Sequence, residues 1–470
     1  MTHRIRHQIL ELELPREAGA VALQRRASRL FQEEVLPLLD EAFSRIAPAD
    51  RVLRIERLEL DLGEIAEANW ERDFVEKCVA QITEQVAETA FAVGSEHPVE
   101  NLSIEENALA VFRYFLETGM LPWYAKHLNL TVLEEMVEEA LAGGSGFWGQ
   151  ELRRVLKQNE GALQRMLWQF SVAFSEKILE AALGLTSGWV QQTIQIRQSQ
   201  TGHKMTDREL VVLAKHLLSM EDSVLENTLP EPALLAQIFL EEKPAVATPP
   251  AAKPQAEPGG IPVENAGLVL LAPYLPPFFK QLGLELLGQN QLPESFKLSG
   301  TSKQSTILST ADQRAETKED TTHDSSLLPA EAKAKEGITH HYKAVHLLHY
   351  LATGQERPEE PLLVLPKILC GLPLETPIPQ DLDLSEEEKL EANRLLEAIV
   401  RNWPVLKKTS PDGLRSGFLQ RAGLLSWSES RVSWVLQVER LGQDLLLEKV
   451  PWSYSVVKLP WMGAMVGVEW

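Results

Sequence analysis

Four histidines lie close together near one helix pattern, and histidine is a common metal ligand. They are His340, His341, His346 and His349. His346 and His349 are three residues apart and would share one helix face. A zinc site usually needs three or four ligands at set spacings, and no cysteine or carboxylate completes the set here. The pattern therefore favours structural histidines, and we expect no metal and no cofactor.

Two other patterns resemble catalytic arrangements. The stretch Gly143-Gly144-Ser145-Gly146-Phe147 is close to a nucleophile elbow, but its fifth position is phenylalanine and helix patterns flank it. Acidic groups lie on predicted helices at Glu33-Glu34, Glu105-Glu106, Glu138-Glu139 and Glu386-Glu387-Glu388. They lack the apolar or basic neighbours that tune a carboxylate for acid–base work. We therefore predict that the protein is not an enzyme.

The composition is that of an ordinary globular protein, with 44% hydrophobic and 24% charged residues in a chain of 470. The formal net charge is −21, which argues against nucleic acid or an anionic membrane as a partner. The two cysteines, Cys78 and Cys370, cannot form a disulfide framework, so we expect a reducing compartment. The first residues alternate charged and apolar positions, and we expect no signal peptide.

The most apolar passage of the chain is Ala266–Phe279, with 14 residues. As a helix it would span about 21 Å, whereas a bilayer core is about 30 Å thick. It also contains three prolines, so we predict no membrane insertion. Instead, we predict that Asn265 caps a short helix reaching Ala272 and that a second helix starts at Pro276-Pro277. This passage is expected to be the core of the C-terminal domain.

The N-terminal part mixes strand and helix patterns. We predict a strand–helix–strand unit followed by a helix within residues 1–92. Its predicted elements are strands at 7–14 and 52–62 and helices at 17–46 and 67–90. Pro37 lies inside the first helix and should kink or break it, because proline has no N–H to donate.

The remaining chain divides by composition. Residues 100–240 have an almost wholly helical pattern, 241–260 are a Pro/Ala-rich linker, and about 290–336 are predicted to be disordered. The C-terminal α+β domain is predicted at 261–470. It should contain helices at 344–351, at 385–400 and from Ser410-Pro411-Asp412, and strands at 433–440, 444–450, 454–461 and 465–470. The fold class is thus mixed and multi-domain, mainly α with small α/β and α+β regions.

One short internal similarity links two helix ends. Phe115-Leu116-Glu117-Thr118-Gly119 resembles Tyr350-Leu351-Ala352-Thr353-Gly354. Glycine is the usual residue at a helix C-terminus, so the similarity fits a shared cap. It fits a duplicated helical unit equally well.

Three tryptophans recur at nine-residue intervals in the tail: Trp452, Trp461 and Trp470. The first two follow proline, which favours extended or turn geometry. A tryptophan buries up to about 250 Å², so such residues form a small core or anchor a partner. We predict these three as candidate partner-binding residues.

Six segments carry a family resemblance in their combination and order: RIERLELDLGEI (54–65), NAGLVLLAPYLPPFFKQLGL (265–284), KILCGLP (367–373), SPDGLRSGFLQRAGLL (410–425), KVPWSYSVVKLPWM (449–462) and VEW (468–470). Together they resemble the tape measure protein family of contractile injection systems. It implies a structural assembly protein that works with the baseplate to set the length of the inner tube and sheath. Its partners would be inner tube, spike or hub, and baseplate proteins. It would be cytoplasmic during assembly and then part of the particle.

A ruler acts by physical length. A fully helical chain of 470 residues would span at most about 700 Å. The mixed strand and helix patterns instead predict compact domains, which favours an alternative. In that alternative the protein is a baseplate adaptor or assembly chaperone of the same particle, without ruler function.

Overall fold

The computed structural model describes residues 3–6, 8–13, 20–46, 50–55, 57–91, 99–143, 146–219, 260–289, 291–292 and 330–470. The chain divides into two compact units. One is residues 1–112 with 135–144, and the other is residues 113–134 with 145–470. The predicted linker, apart from Gly260, and residues 293–329 of the predicted disordered insertion lie outside the described residues. The predicted boundaries at 92, 100, 240 and 261 stay a prediction.

The described residues up to 103, all in the first unit, contain three α-helices and a two-stranded sheet. The elements are α1 (Ala20–Leu30), a π-helical turn (Phe31–Val35), α2 (Leu36–Ile46), β1 (Arg51–Ile55), a 3-10 turn (Glu67–Asn69), α3 (Trp70–Phe91) and β2 (Val99–Ser103). Apolar side chains of the π turn, such as Phe31, pack against Phe74 and Cys78 of α3 in one buried cluster. The helix predicted to kink or break at Pro37 continues through it: the π turn ends at Val35, two residues before the proline, and α2 runs from Leu36 to Ile46.

Two strand predictions in this unit are wrong. Residues 8–13, inside the predicted strand 7–14, form no strand, and β1 ends at Ile55 instead of reaching residue 62. The antiparallel partner of β1 is β2, which pairs Arg51 with Ser103. An alternating pattern reports burial on one side of an extended chain. It does not report whether a neighbouring strand is present to form a ladder.

The predicted helical region is confirmed in its described part. It contains α4 (Ile104–Thr118), α5 (Leu130–Ala142), α6 (Gly146–Gln158), α7 (Glu160–Gln169), α8 (Val172–Leu183), α9 (Trp189–Thr201) and α10 (Asp207–Ser219). Side chains cap five of these starts. For example, Asn159 accepts from the N–H of Ala162, and Ser171 from that of Phe174. These bonds satisfy N–H groups that have no partner inside the helix.

A five-stranded sheet runs through the C-terminal region. It consists of β3 (Ile261–Val263), β4 (Gly423–Ser428), β5 (Ser433–Val438), β6 (Val456–Val457) and β7 (Val466–Glu469), in the order β3-β4-β5-β7-β6. The β5–β7 pair is parallel and the other pairs are antiparallel.

The tail strands were predicted only in part. The strands at 433–440 and 465–470 are confirmed as β5 and β7, and β6 keeps two residues of 454–461. Residues 444–450 are not a strand, because Gly442–Lys449 form a 3-10 helix. The carboxylate of Asp444 accepts from the N–H of Leu441 at the start of that helix. A short apolar run cannot be told apart as strand or helix by its periodicity.

The helices of the same region include those of the apolar passage itself. They are a 3-10 helix (Ala266–Tyr274), α11 (Leu275–Gln281), α12 (Ala330–Thr353), a 3-10 turn (Glu360–Leu363), α13 (Val364–Leu369), α14 (Glu386–Asn402), a 3-10 turn (Pro404–Leu406), α15 (Pro411–Leu414) and a π turn (Arg415–Leu419). The predicted starts at Ser385 and Ser410 are confirmed, since both hydroxyls cap their helices. α12 begins inside the range predicted to be disordered.

The apolar passage forms the core of this region, as predicted. Every residue from Ala266 to Ala272 is buried. The predicted cap by Asn265 is wrong: its side chain makes no capping bond, and the N–H of Ala266 donates to the carbonyl of Arg421 over 2.9 Å. A Cβ on Gly267 would lie 1.7 Å from the carbonyl oxygen of Phe418. Only glycine allows the two backbones to approach this closely.

Candidate functional site

Three charged side chains meet inside the second unit and form what we call the buried charge network: Arg165, Glu360 and Lys367. The Nε of Arg165 donates to Oε1 of Glu360 over 2.9 Å, and Nζ of Lys367 donates to the same oxygen over 2.6 Å. The three side chains are 1%, 0% and 2% exposed. Buried charges of this kind are retained only when they are paired and hydrogen-bonded.

The network also ties down backbone carbonyls. Nη1 of Arg165 donates to the carbonyl of Leu116 over 2.5 Å, and Nη2 donates to that of Glu375. Lys367 donates to the carbonyl of Leu374 over 3.0 Å. α7, the end of α4 and the segment around α13 are therefore held together by one set of bonds.

Gly119 has no side chain, and the buried charge network occupies the space where one would lie. Its φ is +75°, and a Cβ there would lie 2.5 Å from Oε1 of Glu360 and 2.8 Å from Nε of Arg165. The position needs glycine for both reasons: backbone conformation and room.

The charges of the network do not cancel, because two cations share one carboxylate. Burial lowers the pKa of Lys367, while the nearby carboxylate of Glu360 opposes that shift. Burial also raises the pKa of the neighbouring Glu375. Oε2 of Glu360 has no hydrogen-bond partner among the described residues. The nitrogens of Arg165 and Lys367 all donate to Glu360 or to backbone carbonyls. The buried charge network therefore serves to join segments of the chain.

A second buried arginine, Arg415, holds the end of α12. Its Nε donates to the carbonyl of Leu351 over 3.2 Å, and its Nη2 to the side-chain oxygen of Asn393 over 2.9 Å. Its Nη1 pairs with Asp412 over 2.7 Å, and its guanidinium lies over the ring of Tyr350.

The three predicted tryptophans all pack within the C-terminal region. The indole N–H of Trp452 donates to the carbonyl of Leu270 over 3.0 Å, and that of Trp461 to Leu369 over 2.7 Å. The indole of Trp470 donates to the carboxylate of Asp444 over 3.1 Å. Partner binding by these tryptophans stays a prediction.

The four histidines take structural positions. His341 accepts from the N–H of Leu287 over 2.9 Å and donates to the carbonyl of Cys370 over 2.6 Å. His346 bonds to the carbonyl of Pro379, and His340 lies against Glu285. Within the described part of the chain, no group of three or more histidine, cysteine or acidic residues is placed to hold a metal ion.

Burial keeps two of these histidines neutral at pH 7. Desolvation lowers the pKa of His341 to about 4 and that of His349 to about 4. Neither ring nitrogen of His349 has a hydrogen-bond partner among the described residues.

The other candidates from the sequence do not assemble into a site in the described residues. Ser145 lies outside them. Glu106 and Glu388 each accept from the N–H of the serine three residues earlier, as the acidic member of a capping box.

Sequence reasoning missed the buried charge network. Arg165 and Glu360 are 195 residues apart, so no local pattern connects them. The available signal was the glycine-ended helix at 115–119, whose end the network holds.

In the described residues no helix is both long enough and apolar enough to cross a membrane. The sequence matches a family of structural proteins found in contractile injection systems, over residues 2–470. The chain belongs to the contractile injection system tape measure protein family. Comparison with curated proteins and with solved structures gives no match.

Proposed function

We propose that the protein sets the length of the inner tube and sheath of the particle, together with the baseplate. The observation that carries this proposal is the family match over nearly the whole chain. Its partners would be inner tube, spike or hub, and baseplate proteins. It would assemble in the cytoplasm and then remain in the particle as a structural component without enzymatic activity.

The test is a series of chain lengths. Twenty residues are deleted from, or inserted into, the segment 300–325, and tube length is measured by electron microscopy. If the added residues are helical the tube should lengthen by about 30 Å, and if they are extended by about 65 Å. A variant with residues 300–325 in scrambled order keeps the length and is the matched control. Unchanged tubes in both directions would rule out a ruler.

The alternative is an adaptor or assembly chaperone, in which chain length is incidental. It is favoured by the compact core of the C-terminal region, where the sheet and the apolar passage form one buried cluster. Leu445 is 73% exposed beside this core. If the surface binds a partner, Leu445→Asp should reduce particle yield while the length variants give normal tubes. Normal yield would exclude an essential contact at Leu445.

A further inference from the structure

The second unit has two regions with separate apolar cores. We call them the helical part (residues 113–134 and 145–219) and the C-terminal part (residues 260–470). The C-terminal part encloses one buried apolar cluster, and among the described residues of the helical part only the half-buried Met120 packs against it. Fully buried side chains of the helical part, such as Phe174, are not members of this cluster.

Hydrogen bonds form most of the junction between the two parts, which we call the seam. The amide of Gln169 in α7 donates to the carbonyl of Ile378 over 3.0 Å. Its side-chain oxygen accepts from the N–H of Glu360 over 3.1 Å and from the amide of Gln380 over 3.2 Å. One glutamine of the helical part thus forms three bonds with the C-terminal part.

Charged side chains also cross the seam. Arg165 of the helical part donates to the carboxylate of Glu360 and to the carbonyl of Glu375. The carboxylate of Glu359 accepts from the N–H of Leu130, at the start of α5, over 3.2 Å. The buried charge network is therefore one part of a larger polar junction.

A seam of this composition opens at low cost. Its apolar contacts are slight: Met120 packs against the C-terminal cluster, and a Cβ on Gly161 would lie 3.5 Å from the ring of Pro377. Exposing apolar surface to water is unfavourable in proportion to its area, so little is lost here. Hydrogen bonds across the seam are replaced by bonds to water, and buried charges regain hydration when it opens.

We propose that the second unit opens reversibly at the seam, so that the helical part and the C-terminal part separate while both stay folded, and that the buried charge network is the latch that holds them together. Each part stays folded because it keeps its own core. Residues 220–259 join the two parts covalently, so they stay tethered when the seam is open. The opening does not depend on length control, so it can fail or hold separately from the proposed function.

Amide hydrogen exchange of the full-length protein measures the opening. The N–H groups of Leu130 and Glu360 are bonded across the seam. Both should exchange at least tenfold faster than the amides of Ile178 in α8 and Leu436 in β5, which lie inside the two parts. Equal rates at all four positions would mean that the second unit opens only by unfolding as a whole, and the proposal would be wrong.

A variant of Gln169 separates opening of the seam from fraying of α5 alone. Gln169→Met removes three bonds across the seam, so exchange at Leu130 should speed up at least tenfold although Leu130 is not bonded to Gln169. Gln164→Met is the matched control in the same helix, because Gln164 bonds to Glu160 within α7. Unchanged exchange at Leu130 in Gln169→Met would overturn the proposal.

Variants of the buried charge network test its role as the latch. Glu360→Gln leaves two buried cations that regain hydration on opening, so exchange at Leu130 should speed up at least tenfold. The triple variant Arg165→Met, Glu360→Leu and Lys367→Met has no buried charge to hydrate, so the same exchange should slow at least tenfold. Unchanged or faster exchange in the triple variant would contradict the latch. The amides of Ile178 and Leu436 report whether that variant folds, and the Gln169 variant tests the opening independently of it.

Discussion

Two helices of the second unit end in the same way, α4 at Gly119 and α12 at Gly354. Both glycines have a left-handed conformation, with φ of +75° and +74°. In both, the threonine before the glycine donates its hydroxyl to the carbonyl four residues earlier, over 2.7 and 2.8 Å. The leucine three residues before each glycine accepts from a buried arginine. The likeness therefore extends beyond the glycine, which supports a duplicated helical unit over a shared cap alone.

The two ends differ in how the arginine is neutralised. Arg165 is paired with Glu360, which is fully buried and shared with Lys367. Arg415 is paired with Asp412, whose side chain is 86% exposed. In both helices an arginine donates to the carbonyl of the leucine. Its counter-charge is the buried Glu360 at the end of α4 and the exposed Asp412 at the end of α12. The first end should be the more sensitive to mutation.

The largest difference is expected from removing each arginine. Arg165→Met leaves two carbonyls and one face of Glu360 without donors, and should cost about 3–5 kcal/mol of unfolding free energy. Arg415→Met removes the bonds to Leu351 and Asn393 but leaves only one charged group, the exposed Asp412, without its partner, and should cost about 1–2 kcal/mol. Urea unfolding of both variants measures the difference. Equal losses would show that the two ends are energetically the same.

Removing each counter-charge should give a similar contrast. Glu360→Gln leaves two buried cations without a carboxylate and should cost about 3 kcal/mol. Asp412→Asn should change stability by less than about 0.5 kcal/mol, because exposed ion pairs contribute little. Urea unfolding of the two variants measures both changes, and the Asp412→Asn variant is the control for Glu360→Gln. A loss at Asp412 as large as that at Glu360 would contradict the role of burial.

The glycines should differ for steric reasons. Gly119→Ala places a methyl group against Glu360 and Arg165 and should cost about 3 kcal/mol, from backbone strain and overpacking together. At Gly354 the nearest atom to an added Cβ is 3.7 Å away, in Arg415, so only the strain of about 1 kcal/mol remains. Thermal unfolding distinguishes them. Similar melting temperatures for both variants would mean that Glu360 and Arg165 shift to accommodate the added methyl group.

Sensitivity to pH should belong to the α12 end. At the end of α12, Thr353 donates to the carbonyl of His349. The equivalent acceptor at the end of α4 is the carbonyl of Tyr114. The pKa of His349 is about 4 in the folded chain, below its ordinary value of 6.5, so the unfolded chain binds more protons between these values. Stability should fall by about 2 kcal/mol from pH 7 to pH 5 through this group.

The variant His349→Leu should reduce this loss, as measured by urea unfolding at both pH values. His216→Leu, in α10, is the control and should follow the unmodified protein. If His349→Leu loses as much stability between the two pH values as the unmodified protein does, the assignment to His349 is wrong.

The sequence predicted helix positions well because helices are local, although the cap expected from Asn265 was wrong. The serines at 385 and 410 cap the helices they were expected to start, and the apolar passage after Asn265 is core. Strand pairing was less predictable because a ladder depends on distant residues. β1 pairs with residues 99–103, and β4 had no signal apart from its glycine start.

The buried charge network could not be predicted for the same reason. Arg165, Glu360 and Lys367 are ordinary helix-surface residues by pattern, and only the fold removes them from water. The tryptophans differ from the network, because their regular spacing is visible in the sequence but does not reveal whether they face the core or a partner. The indoles of Trp452 and Trp461 nevertheless donate to carbonyls inside the chain.

Both cysteines are buried, Cys78 among the helices of the first unit and Cys370 in the C-terminal core. Burial raises the pKa of Cys78 to about 11 and that of Cys370 well above its ordinary value, so neither thiol is a good nucleophile while the chain is folded. The protein therefore contains one native reporter of folding in each unit. Thiol labelling of intact particles, measured separately at Cys78 and Cys370, will distinguish a folded chain from one extended along the tube. A folded unit protects its cysteine, whereas an extended chain exposes it.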